Sequence, residues 1–226
     1  MRPYPRGTVA LLLALASTAA CSSNKSLETA PRPSPTMHGD PAAIANAKPD
    51  SNRFPYTEAD VNFMSGMIGH HSQAIAMAKW APTRAASQSI RTLTARIINA
   101  QQDEITLMSQ WLRQHGQKVP EATPMGIKMN MGGMEHVMAM PGMLTEAQMK
   151  ELEASTGKKF DELFLTFMIQ HHKGALAMVK ELFGTPGAGQ DETTFKLASD
   201  INADQETEID RMQKMLIQLK FEGSLP

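Results

Sequence analysis

Residues 63–79, with the sequence FMSGMIGHHSQAIAMAK, decide the fold, because a close copy, FLTFMIQHHKGALAMVK, occupies residues 164–180. In each copy the apolar residues recur at the three- and four-residue spacing of an amphipathic helix. A second repeat follows, since residues 101–112 and 205–216 share Gln, Glu, Ile, Met and Leu at equal spacing. Two copies of one helical hairpin give four long helices, the number that closes a bundle around one core.

The helical domain is predicted to span residues 56–220. Its first hairpin covers 56–116, where a glycine ends the second helix, and its second hairpin covers 145–220. Helix-forming residues dominate the periodic segments, and aromatic residues make up only 5% of the chain, so the sequence predicts an all-α fold. The predicted helices cover about 57–81, 82–87 to 116, 145–157, 159–183 and 192–220.

The first 55 residues are predicted to lie outside this domain. Residues 1–21 resemble a lipoprotein-type signal peptide, in which an apolar segment ends in small residues and the only cysteine, Cys21. Lipid on Cys21 would anchor the mature protein. Thr18 stands where the lipobox usually has leucine, which leaves ordinary signal-peptide cleavage as the alternative. Residues 22–55 are rich in proline and are predicted to form a disordered tether, so we expect an exported protein in the periplasm or anchored to a membrane of the cell envelope.

The charge balance excludes one class of partner. The formal net charge is −1 at pH 7, and it falls to −3 when the two arginines of the signal segment are removed. Nucleic-acid-binding domains normally carry a basic surface, so we expect no nucleic-acid partner. A single cysteine cannot form an internal disulfide, and an apolar core must therefore hold the exported domain together.

Each copy of the repeat has two adjacent histidines at its centre and methionines on the same helical stripe. If the two stripes face one another in the bundle, four imidazoles and two or more thioethers meet in one region. Imidazole suits several transition metals, whereas thioether favours Cu(I), so the combination favours copper, preferentially Cu(I). Buried histidine and methionine also occur as ordinary core residues, which is the alternative interpretation. The candidate ligands are His70, His71, Met77, His171, His172 and Met178.

Two carboxylates occupy equivalent positions on the partner helices. Glu104 and Glu208 could each accept a ring N–H from a histidine and thereby fix its orientation, so we expect them to support ligands rather than to bind metal.

The segment between the hairpins, residues 117–144, is the methionine-rich connector. It has no clear apolar period and is predicted to be a loop, in which closely spaced thioethers can bind Cu(I) without a preformed fold. The alternative is that these methionines cover apolar surface between the hairpins. The candidate ligands in the connector are Met129, Met131, Met134, His136, Met138 and Met140.

The pattern Phe-x-x-x-Met-Ile-x-His-His-x-x-Ala-x-x-Met in both copies, followed by helices with Gln-x-x-Glu-Ile-x-x-Met, resembles the family named domain of unknown function 305 (DUF305). The resemblance covers residues 54–220 and implies a ferritin-like four-helix bundle. Some exported members of that family are implicated in periplasmic copper binding. By resemblance, the copper ligands in this chain would be the two histidine pairs with Met77 and Met178. The second pair is followed by Lys173-Gly174, the commoner family form, whereas the first is followed by Ser72-Gln73, a difference that could make the two halves unequal.

The predicted function is an exported protein that binds or buffers copper in the cell envelope. One alternative is an envelope stress or interaction module with structural histidines and no bound metal. A copper-dependent oxidase is less favoured, because ferritin-like oxidases use a Glu-x-x-His pair and Met67 and Met168 occupy the positions three before His70 and His171. We expect no catalytic residues, and a homo-oligomer or a copper-transfer partner remains open.

Overall fold

The computed structural model describes residues 55–131 and 134–222. The predicted signal peptide, Cys21 and nearly all of the predicted tether lie outside the described residues. None of the helices in the described part has an apolar stretch long enough to cross a membrane. The elements in chain order are α1 (Glu58–Ala78), α2 (Ala81–Arg84), α3 (Gln88–Gln114), β1 (Glu121–Thr123), β2 (Gly126–Met131), β3 (Met134–Met138), α4 (Glu146–Ala154), α5 (Gly157–Gly184) and α6 (Glu192–Glu222).

Local capping signals explain where the helices begin and end. Thr57 forms a capping box with Asp60 at the start of α1, and Thr145 forms another with Gln148 at the start of α4. Gly116 adopts a φ of 67° just beyond α3, where a left-handed residue ends the helix. The first helix is shorter than predicted, because Pro82 has no N–H to donate to the Ala78 carbonyl, and a separate helical turn, α2, begins at Ala81.

The predicted ferritin-like bundle is confirmed. α1 pairs with α3, α5 pairs with α6, and the two hairpins meet through α1 and α5. One apolar cluster joins the C-terminal half of α1 to the N-terminal half of α5, through residues such as Met77 and Phe164. A second cluster joins the opposite halves, through residues such as Phe63 and Val179. The two central helices therefore run antiparallel, and a layer of polar side chains separates the two clusters.

The connector is not the loop that the sequence predicted. It contains a three-stranded antiparallel sheet, ordered β1-β2-β3, which adds a small β element to an otherwise all-α fold. The register pairs Ile127 with Met138, Met129 with His136, and Met131 with Met134. In β2 the polar residues Lys128 and Asn130 alternate with Ile127, Met129 and Met131, which is the two-residue period of a sheet with distinct faces, whereas His136 and Val137 break this alternation in β3. Methionine is not a typical strand residue, so this alternation was easily missed.

Two residues of the repeat fasten the connector to the bundle. The buried Gln73 side chain donates to the Pro124 and Leu144 carbonyls and accepts the Leu144 N–H at 2.6 Å. On the other hairpin, the backbone of Pro141 crosses α5 at Gly174, so closely that a Cβ there would lie 2.0 Å from the Pro141 carbonyl oxygen. The sequence difference between Ser72-Gln73 and Lys173-Gly174 therefore reflects two different contacts with one connector.

Candidate metal centre

The four repeated histidines, named here the histidine quartet, lie at the centre of the polar layer. His70 and His71 come from the middle of α1, and His171 and His172 come from the middle of α5. All four side chains are fully buried. The central pair is closest, since the ring centroids of His70 and His171 are 3.8 Å apart with 36° between the ring planes. In each copy the adjacent rings are 6.3 Å apart. The pseudo-two-fold repeat thus brings all four imidazoles into one buried region.

Three members of the quartet donate a hydrogen bond from Nε2. His71 Nε2 lies 2.6 Å from Glu104 Oε2, and His172 Nε2 lies 2.7 Å from Glu208 Oε2. His70 Nε2 lies 3.0 Å from the carbonyl oxygen of Pro141. Carboxylates and carbonyls accept these bonds, so Nε2 carries the hydrogen and, in a neutral ring, Nδ1 keeps a free lone pair.

Several ring nitrogens in this layer have no hydrogen-bond partner. Nδ1 of each of the four histidines is buried and unbonded, and Nε2 of His171 is also unbonded. Burying an unpaired polar atom costs free energy, so such atoms require an explanation. A histidine that donates Nε2–H to a carboxylate and offers Nδ1 to a metal is a common arrangement in metalloproteins. The residues present therefore fit a metal ion.

Electrostatics keep the central pair neutral. Burial and the neighbouring His71 lower the pKa of His70 to about 3. Burial, and after it the neighbouring His70, lowers the pKa of His171 well below its ordinary value. Metal ions bind the neutral imidazole, so these two rings need not lose a proton at neutral pH before they bind metal.

The rings are not yet arranged as a coordination sphere. Among the described residues, no group of three or more His, Cys, Asp or Glu side chains is arranged to hold a metal ion. The tilted stack of His70 on His171 accounts for this, because stacked rings direct their nitrogens away from a common point. Metal binding at the quartet therefore requires rotation of at least one of these rings.

The structure does not bring Met77 and Met178 together. Met77 is fully buried in the first apolar cluster, whereas Met178 belongs to the second. Each methionine follows the first histidine of its copy by seven residues, which is about 10 Å along a helix. The two thioethers consequently lie on opposite sides of the histidine quartet.

Met178 instead borders a cleft of about 330 Å³ between α1, α5 and the connector. This methionine cleft is also lined by Met138 and Met140 of the connector. Pro141, which accepts the hydrogen bond from His70, lines it as well. Three thioethers therefore line a cleft whose wall also includes Pro141, the hydrogen-bond partner of His70, while no histidine is among its lining residues.

The β2–β3 hairpin carries the remaining candidates. Met129 and His136 are paired across the two strands, and cross-strand partners share one face of a sheet. Both are exposed, as is Met138 on the same strand as His136. The register also sets Met131 opposite Met134. Four of the predicted ligands of the connector are thus paired across the hairpin, and the other two, Met138 and Met140, line the methionine cleft.

Sequence reasoning missed part of this polar layer. Gln101 and Gln205 were recognised only as members of the repeat, yet both are buried beside the carboxylates Glu104 and Glu208. Burial and, after it, the nearby charge of Glu104 raise the pKa of Asp204 in the same region. The sequence signal that could have indicated these buried residues was the recurrence of glutamine at the same position in both copies of the repeat.

Acid is expected to destabilise the metal-free protein. An unfolded chain binds a proton at His70 near pH 6.5, whereas the folded chain does so only near pH 3, so the unfolded state binds more protons between these values. The stability is present in full above pH 6.5 and is lost as the pH falls. From pH 6.5 to 5, His70 alone should lower the free energy of unfolding by about 2 kcal/mol.

Urea unfolding with a chelator at pH 7.5 and pH 5 measures this loss. His171→Leu removes one of the two affected groups, and its loss on acidification should be clearly smaller than that of the wild type. Equal losses in the two proteins would contradict the assignment.

Comparisons with known proteins agree with this architecture. A crystal structure of a DUF305 protein from Streptomyces coelicolor, named as secreted, is 29% identical, with a TM-score of 0.60 over 72% of this chain and 94% of that chain. A DUF305 fragment from Deinococcus radiodurans is 27% identical, with a TM-score of 0.60 over 73% of this chain and 99% of that one. CopM in its Cu(I)-bound form is 27% identical, with a TM-score of 0.53 over 70% of this chain and 96% of that chain. CopM in its Cu(II)-bound form is also similar.

One curated relative matches a shorter segment. The uncharacterized protein L153 of Acanthamoeba polyphaga mimivirus is 44% identical over 50 residues, which is 22% of this chain and 33% of that protein. The family model of domain of unknown function 305 matches residues 60–216 of this chain. Because that match covers more than half of the chain, the protein belongs to the DUF305 family.

Proposed function

We propose that this protein binds copper, preferentially Cu(I), at the histidine quartet and buffers it in the cell envelope. The observation that carries the proposal is the set of five buried ring nitrogens without hydrogen-bond partners. A purely structural role gives no reason to leave these atoms unpaired in both copies of the repeat. The copper-bound forms of CopM, a similar protein, support the choice of metal.

The connector gives the proposed route to the buried quartet. Cu(I) is captured by the exposed thioethers of the β2–β3 hairpin, with His136 as a further ligand, and passes through the methionine cleft towards His70. Thioethers bind Cu(I) and Ag(I) but bind hard cations such as Mg(II) poorly, so this route also favours Cu(I) over hard cations. Glu104 and Glu208 orient the outer histidines and bind no copper themselves.

Export belongs to the same proposal. The N-terminal segment directs the chain out of the cytoplasm, lipid on Cys21 anchors it, and the proline-rich tether holds the domain away from the membrane. The name of the Streptomyces coelicolor relative, which describes a secreted protein, supports export.

A Cu(I) titration of the purified protein under anaerobic conditions, in competition with a chromophoric chelator, tests the function. We expect at least one Cu(I) per chain with a Kd of about 1 μM or lower, together with a rise in melting temperature on binding. A protein that takes up no Cu(I) and whose melting temperature does not change would have structural histidines, and the proposal would be wrong.

Substituting the methionine cleft should slow copper uptake. The variant Met138→Leu, Met140→Leu and Met178→Leu keeps side-chain volume but removes the thioethers, so Cu(I) should reach the quartet about tenfold more slowly. Stopped-flow mixing with a Cu(I) complex measures the rate. The matched control is Met108→Leu with Met212→Leu, two buried methionines on α3 and α6, which should load at the wild-type rate. Equal loading rates in all three proteins would exclude this route.

A further inference from the structure

A second pocket opens on the side of the polar layer away from the connector, between α3 and α6. Its volume is about 140 Å³, which is several times the volume that one water molecule occupies in the liquid. The side chains around it are mainly carboxylates and amides. They belong to Arg96, Gln101, Glu104, Asp204, Gln205, Thr207 and Glu208, with Ala100.

Two buried amides in this pocket lack partners. Gln101 is 2% exposed, and both its Nε2 and its Oε1 have no hydrogen bond. Gln205, its equivalent in the second copy, is also 2% exposed, and its Oε1 is unbonded. Amide oxygens are good ligands for hard cations, and an unpaired amide in a closed core would be a net cost. In both copies of the repeat, therefore, a buried glutamine with an unbonded Oε1 lies at the inner wall of the pocket.

The charge in the pocket is negative. Three carboxylates, from Glu104, Asp204 and Glu208, face one guanidinium, that of Arg96. Each glutamate uses one oxygen, Oε2, to accept a hydrogen bond from a histidine of the quartet, which leaves its second oxygen for another contact. The pocket therefore offers amide and carboxylate oxygens, in contrast to the thioethers of the methionine cleft.

We propose that the pocket between α3 and α6 binds one partly hydrated divalent cation that prefers oxygen ligands, of the Mg(II) or Mn(II) class. The amide oxygens of Gln101 and Gln205 hold it, with the free carboxylate oxygens nearby. Water completes the coordination shell, as is usual for Mg(II). Its proposed ligands include no histidine of the quartet, although Glu104 and Glu208 also accept the hydrogen bonds of His71 and His172.

Mn(II) titration of the full-length protein, followed by electron paramagnetic resonance of the free ion, tests the site. We expect one Mn(II) per chain with a Kd of about 0.1 to 1 mM, displaced by Mg(II). The double variant Gln101→Leu with Gln205→Leu should bind Mn(II) at least about tenfold more weakly, while its stability stays the same or rises because unpaired amides are removed. Gln110→Leu, an exposed glutamine on α3, is the matched control and should bind like the wild type.

A second variant covers the case in which the double variant does not fold. Asp204→Asn removes one pocket charge and should also weaken Mn(II) binding. Asp210→Asn, on the exposed side of α6 where Asp210 pairs with Lys214, should leave it unchanged. The titration is repeated in His171→Leu, which separates this site from copper binding, and the Mn(II) affinity should not change. Absence of Mn(II) binding, or equal binding in the double variant, would mean that the pocket holds water only and would overturn the proposal.

Discussion

His171→Leu is expected to lower the affinity for Cu(I) by about 100-fold and, in the metal-free protein, to raise the free energy of unfolding by about 1 kcal/mol. Both ring nitrogens of His171 are buried and unbonded, so leucine removes two unpaired polar atoms from the core. The side chain is fully buried, and leucine fills a similar volume. Lower affinity combined with higher stability is typical of a residue retained for function.

Chelator competition and urea unfolding of the same preparations measure the two effects. The matched control is Met168→Leu, which changes a fully buried neighbour one turn earlier on α5 and should alter neither quantity by much. If His171→Leu destabilised the protein and left copper binding intact, the histidine would be a structural residue. The proposed function would then lose its main support.

The bundle was predictable because its determinants are local or repeated. Thr57 and Thr145 start helices through contacts within three residues, which sequence alone displays. The two histidine pairs meet because a duplicated hairpin forms a pseudo-two-fold bundle, and the middle of α1 then faces the middle of α5. Neither inference required long-range information beyond the repeat itself.

The positions of the repeated methionines were less predictable for a geometric reason. A helical wheel gives the angle of a residue around the axis but not its height along it. Met77 and Met178 share the angle of His70 and His171, yet the antiparallel arrangement of α1 and α5 separates them into different apolar clusters. The helical wheel therefore predicted that each methionine lies on the same face of its helix as the histidine, but not that the two methionines lie in different apolar clusters.

The connector contacts were hidden because they join distant parts of the chain. Gln73 binds Leu144, 71 residues away, and nothing in the local sequence of either residue indicates this contact. The only trace was the difference between Gln73 and Gly174 at equivalent positions of the repeat. Departures from an internal repeat mark where the two copies meet different neighbours, and here both neighbours belong to the connector.

The connector contacts both the histidine quartet and the proposed route of copper to it. Its Pro141 carbonyl accepts the hydrogen bond of His70, and Met138, Met140 and Pro141 of the connector line the methionine cleft. A change that displaces the connector should therefore disturb the quartet as well as the route to it. The close approach of Pro141 and Gly142 to α5 provides such a change.

Gly174→Ala is expected to lower the free energy of unfolding by about 3 kcal/mol or more. The added Cβ would lie 2.0 Å from the Pro141 oxygen and 2.7 Å from the Gly142 Cα, so the clash is with backbone and no side-chain rotation relieves it. Gly142 has a φ of +77° and itself approaches the Gly174 Cα, which leaves the connector little freedom to withdraw.

Urea unfolding measures this loss, and Gly184→Ala provides the control. Gly184 is the last residue of α5, and a Cβ there would meet nothing within 4 Å, so alanine should be neutral or stabilise the helix by up to about 1 kcal/mol. Gly174→Ala should also weaken Cu(I) binding, because the Pro141 carbonyl moves away from His70. A Gly174→Ala protein as stable as Gly184→Ala would show that the connector does not cross α5 at this point, and the hydrogen bond that orients His70 would need another acceptor.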